Sequence, residues 1–353
     1  QENLRRAAAS GGAQIMKTNF VMVAVVAIGA AASGAERLDL TWPTPNPAWA
    51  EGKSIRDFVQ HAGSGDPVSG TFGGVRNGGV KFHEGLDISA LVRDRRGEPV
   101  DQVMAVMAGV VRHISANPGG SGYGRYVILE HPEVSPAVYT LYAHLARIAP
   151  GLSVGGRINR SQPLGTMGHS SGATPIPVSR SHVHFEIGVM ITNDFQAWYQ
   201  RKKFGSHNDH GVWNGMNLMG IDPLDFFNQW RTRKINNVQD YFSNMETAVR
   251  VRIATRRTPD FVLRYPALVT KALPMGPVAG WDIQFNWTGV PFAWTPLTAT
   301  DVVALPYEQP RLTEVNVELE KRQRSRSLAV SRRGSLIVGK DLEMVLQQLF
   351  GLK

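Results

Sequence analysis

The sequence predicts a mainly β protein: an all-β sheet or open barrel, followed by a second, smaller β-rich domain that ends in a helix. Three observations carry this expectation. Between residues 70 and 188, short apolar runs at 103–114, 126–130, 139–145 and 182–189 are rich in β-branched and aromatic residues and are punctuated by glycines. Strand-like runs at such short intervals fit a sheet or barrel better than alternating βαβ units. Beyond about residue 245 the texture changes to period-two alternation: Val249, Val251 and Ile253 with Arg250 and Arg252 between them, then Trp281, Ile283, Phe285 and Trp287, then Val315, Val317 and Leu319. That is the pattern of half-buried antiparallel strands. At 340–350, Leu342, Val345, Leu346 and Leu349 share one helical face.

Taken in order, residues 1–35 read as leader and signal peptide. Lys17 precedes an apolar run at 20–32, and the small residues Ser33, Gly34 and Ala35 follow, with cleavage expected after Ala35. The run is shorter than the roughly 20 residues of a spanning helix, so export without a stable membrane span is favoured over an uncleaved anchor. The sequence begins at Gln1, and Met16 is the expected true start, with 1–15 a mis-extended leader. Residues 36–65 form an extended lead-in, because Pro43, Pro45 and Pro47 prevent both helix and central strand. A first domain is expected over 66–230, with 193–220 as an irregular surface insertion carrying Lys202, Lys203, His207, His210 and Trp213. Asp222 before Pro223 and the apolar Leu224, Phe226 and Phe227 predict a short closing helix. The second β-rich domain spans 245–353. Within it, 321–333 carries Lys321, Arg322, Arg324, Arg326, Arg332 and Arg333 and no acidic residue, which reads as a solvated turn and strand face rather than a wall-binding patch.

Composition narrows the chemistry. A chain of 353 residues with 42% hydrophobic content can bury a sizeable core over about two domains. With no cysteine, disulfides, thiolate metal sites and cysteine nucleophiles are excluded, leaving His, Asp and Glu as metal ligands. The net charge of +9 and pI near 9.9 favour polyanionic partners. No aromatic-rich nucleic-acid signature accompanies the charge, so a nucleic-acid partner is not expected, and an acidic cell-wall polymer suits an exported protein. Nothing in the sequence specifies an oligomeric state.

Two short motifs carry the chemistry. His83-Glu84-Gly85-Leu86-Asp87 offers a histidine and a carboxylate four apart, and His182-Val183-His184 offers two histidines two apart. On a strand, residues two apart share a face, so His182, His184 and Glu186 point one way while Phe185 and Ile187 point to the apolar layer. Two imidazoles on one buried face are costly unless they bind something. Glu84 reads as a solvated neighbour, so His83, Asp87, His182 and His184 are four candidate ligands for one zinc ion, and three such ligands with an open position would make hydroxide available near neutral pH. His144, in the run Leu141-Tyr142-Ala143-His144-Leu145, is a third site beside aromatic residues. His207 and His210 are exposed-loop histidines by default, and His61, His113, His131 and His169 are assigned structural or surface roles.

Phe72-Gly73, Arg76, the 83–87 motif, the 103–111 run with Gly109, Tyr123-Gly124, the 141–145 motif and Ser181-His182-Val183-His184-Phe185-Glu186-Ile187 together resemble the LytM or lysostaphin-type zinc endopeptidases. The resemblance covers roughly 66–190 and the closing segment at 221–223. It implies a compact antiparallel β core and an exported hydrolase, periplasmic or wall-associated, that cuts peptide bonds in peptidoglycan with one zinc per chain. Carried over by position, it makes His83, Asp87 and His184 the metal ligands, His144 and His182 the catalytic pair that acts on water, and Arg76 a substrate-contacting or structural residue. Two departures alter a cleft-wall loop: Pro175, Pro177 and Arg180 lie in a link that is usually glycine- and serine-rich, and Ser181 replaces a common proline. The alternative is a catalytically silent or latent LytM-like module that binds the wall or activates a partner hydrolase. Such modules lack one or more ligand positions, whereas all are filled here.

Overall fold

The apolar runs of the first region become strands, the 103–114 run dividing between two, in the computed structural model, which describes residues 37–322 and 324–352. The expected leader and signal peptide lie outside the described residues. In chain order the strands are β1 (Gly73–Arg76), β2 (Lys81–His83), β3 (Leu86–Ser89), β4 (Gln102–Met104), β5 (Gly109–Ser115), β6 (Tyr126–His131), β7 (Val138–Ala143), β8 (Arg147–Ile148), β9 (Arg157–Ile158), β10 (Pro163–Thr166) and β11 (His182–Met190). Then come α1 (Phe195–Lys202), β12 (Leu218–Ile221), α2 (Pro223–Arg231), α3 (Val238–Ser243), β13 (Val249–Ala254), α4 (Asp260–Arg264), β14 (Gly280–Phe285), β15 (Pro291–Leu297), β16 (Arg311–Val315), α5 (Val317–Arg322), β17 (Ala329–Arg332), β18 (Ser335–Val338) and α6 (Lys340–Phe350). With 29% strand, 22% helix and antiparallel sheets, the mainly β expectation holds.

The main sheet has the order β12-β11-β7-β6-β5-β9. β11 is its axis. One edge pairs with β7, and the other pairs first with β3 and then with β12. All nine of its residues are buried, because both faces are covered. Val183, Phe185, Ile187 and Val189 enter the principal core, leaving His182, His184 and Glu186 on the opposite face. A four-stranded antiparallel sheet, β15-β14-β13-β16, follows the main sheet in sequence. Its arginines Arg250 and Arg252 pair with Asp282 on β14, as period-two alternation expects of a polar face.

One apolar cluster runs from Leu40 to Phe350 and includes residues of both sheets. The prolyl lead-in is part of it. Trp42 stacks on Trp49 at 4.7 Å between centroids, and Phe227 of α2 meets both rings edge-on. α2 starts where the sequence places it, with the Asp222 side chain accepting from the backbone N–H groups of Leu224 and Asp225 and Pro223 in the first turn. At the β1–β2 hairpin, Trp287 from the turn after β14 packs against Phe72, and the Arg326 guanidinium lies 4.0 Å above the Phe82 ring. Gly73 is required there: its φ is +105°, and a Cβ would come within 2.7 Å of the Trp287 ring.

Three expectations need correction. The insertion is not irregular throughout, because Phe195, Trp198 and Tyr199 give α1 one buried face at i, i+3, i+4. The alternation at Val315, Val317 and Leu319 does not continue as strand: β16 ends at Val315, and the Asn316 side chain accepts from the Leu319 N–H at 3.2 Å, opening α5 with Glu318 and Glu320 in its first turn. The basic segment 321–333 is not wholly solvated, since Leu328 is fully buried and Arg326 stacks on Phe82.

His131 provides a test of the packed sheet. Fully buried, it donates from Nδ1 to the Ala108 carbonyl at 2.8 Å and accepts from the Thr140 hydroxyl at 2.8 Å, and burial lowers its pKa to about 4. The unfolded chain takes up this proton near pH 6.5, so the stability is complete above about 6.5 and is lost as pH falls toward 4, by on the order of 3 kcal/mol for one such group. Urea unfolding between pH 7 and 4.5 should show this loss, and His131→Gln should show a slope smaller by one proton. An unchanged slope would remove His131 as its source.

Candidate metal centre

Cross-strand register assembles the candidate residues. His184 lies opposite Asp87 of β3 on one side and opposite Ala143 of β7 on the other. His83 is the last residue of β2, three residues before β3 begins. His144 follows β7 directly and turns out of it with φ +61°, a left-handed conformation uncommon for a residue with a side chain. Its N–H is held by the Tyr123 carbonyl at 2.9 Å.

Hydrogen bonds at the outer nitrogens decide what the inner atoms are. His83 donates from Nδ1 to the Thr71 carbonyl at 2.7 Å, so the neutral ring presents a lone pair at Nε2. His184 donates from Nε2 to Glu186 Oε1 at 2.9 Å, leaving a lone pair at Nδ1. These two lone pairs and Asp87 Oδ1 form a triangle with edges of 3.0, 3.0 and 3.1 Å. Three acceptors that converge this closely repel one another unless a proton or a metal cation lies among them. Bonds of about 2.0–2.1 Å to a tetrahedral zinc give donor separations of about 3.3 Å, so nitrogen and oxygen donors at this spacing fit that ion. Asp87 Oδ2 is taken by the Arg76 guanidinium at 2.5 Å, and Arg76 is further tied to the Ser69 carbonyl at 2.9 Å. Arg76 therefore reaches the cleft as the orienting partner of a carboxylate.

The electrostatics agree with a buried cation-seeking centre. Burial alone raises the Asp87 pKa, but positive charge at His83 and His182 and hydrogen bonds from His184 and His83, present when those rings carry a second proton, outweigh it and hold the carboxyl well below its usual range. Burial lowers His184, yet Asp87 and Glu186 raise it to about 10, so without a cation the ring also carries a proton at Nδ1, and a metal ion bound by the triangle would take that proton's place.

The other two histidines differ. His144 donates from Nδ1 to the Ser170 carbonyl at 2.8 Å, and His182 donates from Nδ1 to the Arg180 carbonyl at 2.8 Å. Each neutral ring thus has a lone pair at Nε2. Their centroids are 4.8 Å apart, and His182 Nε2 is 3.5 Å from Asp87 Oδ1. Burial lowers both pKa values, for His144 well below the ordinary range. Both are neutral proton acceptors at neutral pH.

These groups line an open cleft of about 1460 Å³ with the β1–β2 hairpin (Arg76, Lys81, Phe82), the 173–180 link and the insertion (His207, Asp209, His210). Glu84 is exposed on its rim, as expected. His207 and His210 share the cleft but not the triangle: His207 pairs with Asp209 at 2.7 Å, and His210 Nδ1 meets the Tyr126 hydroxyl at 2.7 Å. His131 is a buried structural histidine and His169 meets Glu98 at 3.3 Å, in keeping with their assigned roles. Sequence reasoning placed Glu186 on this face but missed its partners, the hydroxyls of Tyr123 and Tyr139. Residues 63 and 47 positions away give no local signal.

Residues 81–195 match the family model described as Peptidase family M23. No curated protein sequence matches the chain. Among solved structures, the chain is similar to the catalytic domain of a mutant of the prophage-encoded M23 protein EnpA from Enterococcus faecalis, at 21% identity over 37% of this chain and 80% of that one, TM-score 0.27. It is similar to the catalytic domain of the antimicrobial peptidase lysostaphin from Staphylococcus simulans, at 18% identity over 43% and 82%, TM-score 0.27. It is also similar to Csd3 from Helicobacter pylori, at 18% identity over 54% and 34%, TM-score 0.29.

A cation that binds the folded triangle and not the unfolded chain must stabilise the fold. Zinc added to metal-free protein at about 100 times its Kd contributes about 2.7 kcal/mol, a rise of roughly 3–5 °C in the unfolding midpoint. Calorimetry should show that rise in the wild type and none in His83→Ala. An equal rise in His83→Ala and Asp87→Ala would place the cation elsewhere.

Proposed function

From the Peptidase family M23 domain that the chain carries at residues 81–195, we propose that this protein is a zinc metallopeptidase that hydrolyses cross-link or stem peptide bonds of peptidoglycan. The observation that carries the reading is the convergence of three lone pairs beside two further imidazoles whose Nε2 atoms are unprotonated. His83, Asp87 and His184 would hold one zinc per chain. When bound there, zinc supplies Lewis-acid polarisation of a carbonyl and an activated water at neutral pH.

The remaining chemistry belongs to the chain. His144 and His182 have their Nδ1–H groups anchored to backbone carbonyls, so only Nε2 can take the proton that the attacking water must lose. The imidazolium that results is a hydrogen-bond donor to the developing oxyanion, and it returns the proton to the leaving amine as the C–N bond breaks. Arg76 keeps Asp87 oriented through Oδ2. An open cleft admits a branched polymer better than an enclosed cavity would, and the net charge of +9 favours an acidic wall. A silent wall-binding module would have no use for two neutral imidazoles beside the triangle. In the same reading 66–230 is the catalytic part, 245–353 is an added domain, and the 20–32 run directs export to the periplasm or wall. Among the described residues, no helix is long and apolar enough to cross a membrane.

Purified protein carrying about one zinc per chain should solubilise isolated cell-wall sacculi, and mass spectrometry of the released muropeptides should identify the bond cut. His184→Ala should lose both zinc and activity. His144→Ala and His182→Ala should keep the zinc and lose kcat by about 10²–10⁴-fold, the usual worth of a proton-transfer group. Wall binding without hydrolysis by the zinc-loaded wild type would overturn the enzymatic reading.

A further inference from the structure

Glu186 is an acidic side chain only 1% exposed, and it is outside the triangle. It occupies the far side of His184: its Oε1 accepts from His184 Nε2–H at 2.9 Å and from the Tyr123 hydroxyl at 2.6 Å, and its Oε2 accepts from the Tyr139 hydroxyl at 2.9 Å. A carboxylate with almost no water is costly to bury unless it is hydrogen-bonded, and here both of its oxygens accept from donors. The three donors come from different elements: Tyr139 from β7, His184 from β11 and Tyr123 from the loop before β6. The Tyr123 ring also lies 5.6 Å from that of His184 and lines the cleft.

We propose that Glu186, clamped by Tyr123 and Tyr139, is a positioning residue that fixes the His184 ring with its proton on Nε2 and its Nδ1 lone pair aimed at the triangle, thereby setting the affinity for the cation. The inference rests on the reading of His184 as a ligand. The alternative protonation of His184, with the proton on Nδ1, would direct an N–H at the centre and remove one of the three donors. In that form Glu186 Oε1 would face the Nε2 lone pair at 2.9 Å, so the carboxylate selects against it. Hydrogen bonding to the outer nitrogen also raises the basicity of the inner one. Glu186 differs from Asp87 in this respect, since its contact is with the nitrogen that faces away from the triangle.

The test is the zinc affinity of the full chain, measured by chelator competition, together with the visible spectrum of the cobalt-substituted protein. Glu186→Gln should weaken zinc about 10–100-fold, the usual cost of losing such a partner, while the metal-free protein keeps its unfolding midpoint and the cobalt bands shift. Glu186→Asp retains the charge but is one methylene short of Nε2, so it should show a comparable loss and carries the test should Glu186→Gln not fold. A purely structural role predicts a lower midpoint for the metal-free protein with unchanged affinity in the folded fraction, and that result overturns the proposal. So does wild-type affinity in Glu186→Asp, which would assign the effect to charge alone. If the wild type binds no zinc, the ligand reading itself fails and this inference with it. Zinc-replete wild type beside an unaffected Glu186→Gln defeats the inference alone.

Discussion

Antiparallel pairing of β11 with β3 on one edge and β7 on the other is the constraint on which the rest of this structure depends. It sets Asp87 opposite His184 and brings the end of β7 alongside the same residue. Because side chains alternate along a strand, a slip of one residue would send His182, His184 and Glu186 into the apolar core and Val183, Phe185 and Ile187 into the cleft. The cost of burying those polar groups, added to the loss of those three core side chains, leaves one register. The hydrophobic pattern of β11 is therefore also what aligns the candidate ligands.

Within that register, orientation is supplied by groups that look away from the centre. Thr71, Ser170 and Arg180 offer backbone carbonyls to His83, His144 and His182, and Glu186 offers a carboxylate to His184. Asp87 is held through its second oxygen by Arg76. Each functional atom thus has a partner behind it, and with the rings in their neutral forms the inner surface is rich in lone pairs and short of protons. That imbalance is what a cation would relieve. The left-handed backbone at His144 belongs to the same arrangement, a local strain of order 1–3 kcal/mol that the surrounding sheet sustains.

Segments outside the candidate metal centre contribute by packing. The lead-in inserts Trp42 and Trp49 against α2, and the later region presents Trp287, from the turn after β14, and Arg326, from the segment before β17, to the hairpin that bears Arg76 and His83. Aromatic residues dominate these contacts because each buries a large area with few rotatable bonds. The hairpin that closes one side of the cleft is consequently gripped from outside the region that resembles the peptidase family.

Much of this was legible in the sequence. The glycine-punctuated runs became strands, the Asp222-Pro223 signal became the start of α2, and the face of β11 followed from simple alternation. The His83/Asp87 and His182/His184 motifs come together in space with His144. Local pattern failed where a competing local signal won. At Asn316 a capping side chain turned a period-two run into helix, and in α1 the buried face of Phe195, Trp198 and Tyr199 was masked by the polar residues around it. By itself, the sequence determined the residue chemistry and strand faces, because side-chain type and two-residue periodicity are properties of neighbouring positions. Only the tertiary structure decided which nitrogen of each histidine faces inward, that Arg76 backs Asp87, and that Glu186 is held by Tyr123 and Tyr139. Those facts depend on hydrogen bonds between positions far apart in the chain, and no spacing along it encodes them.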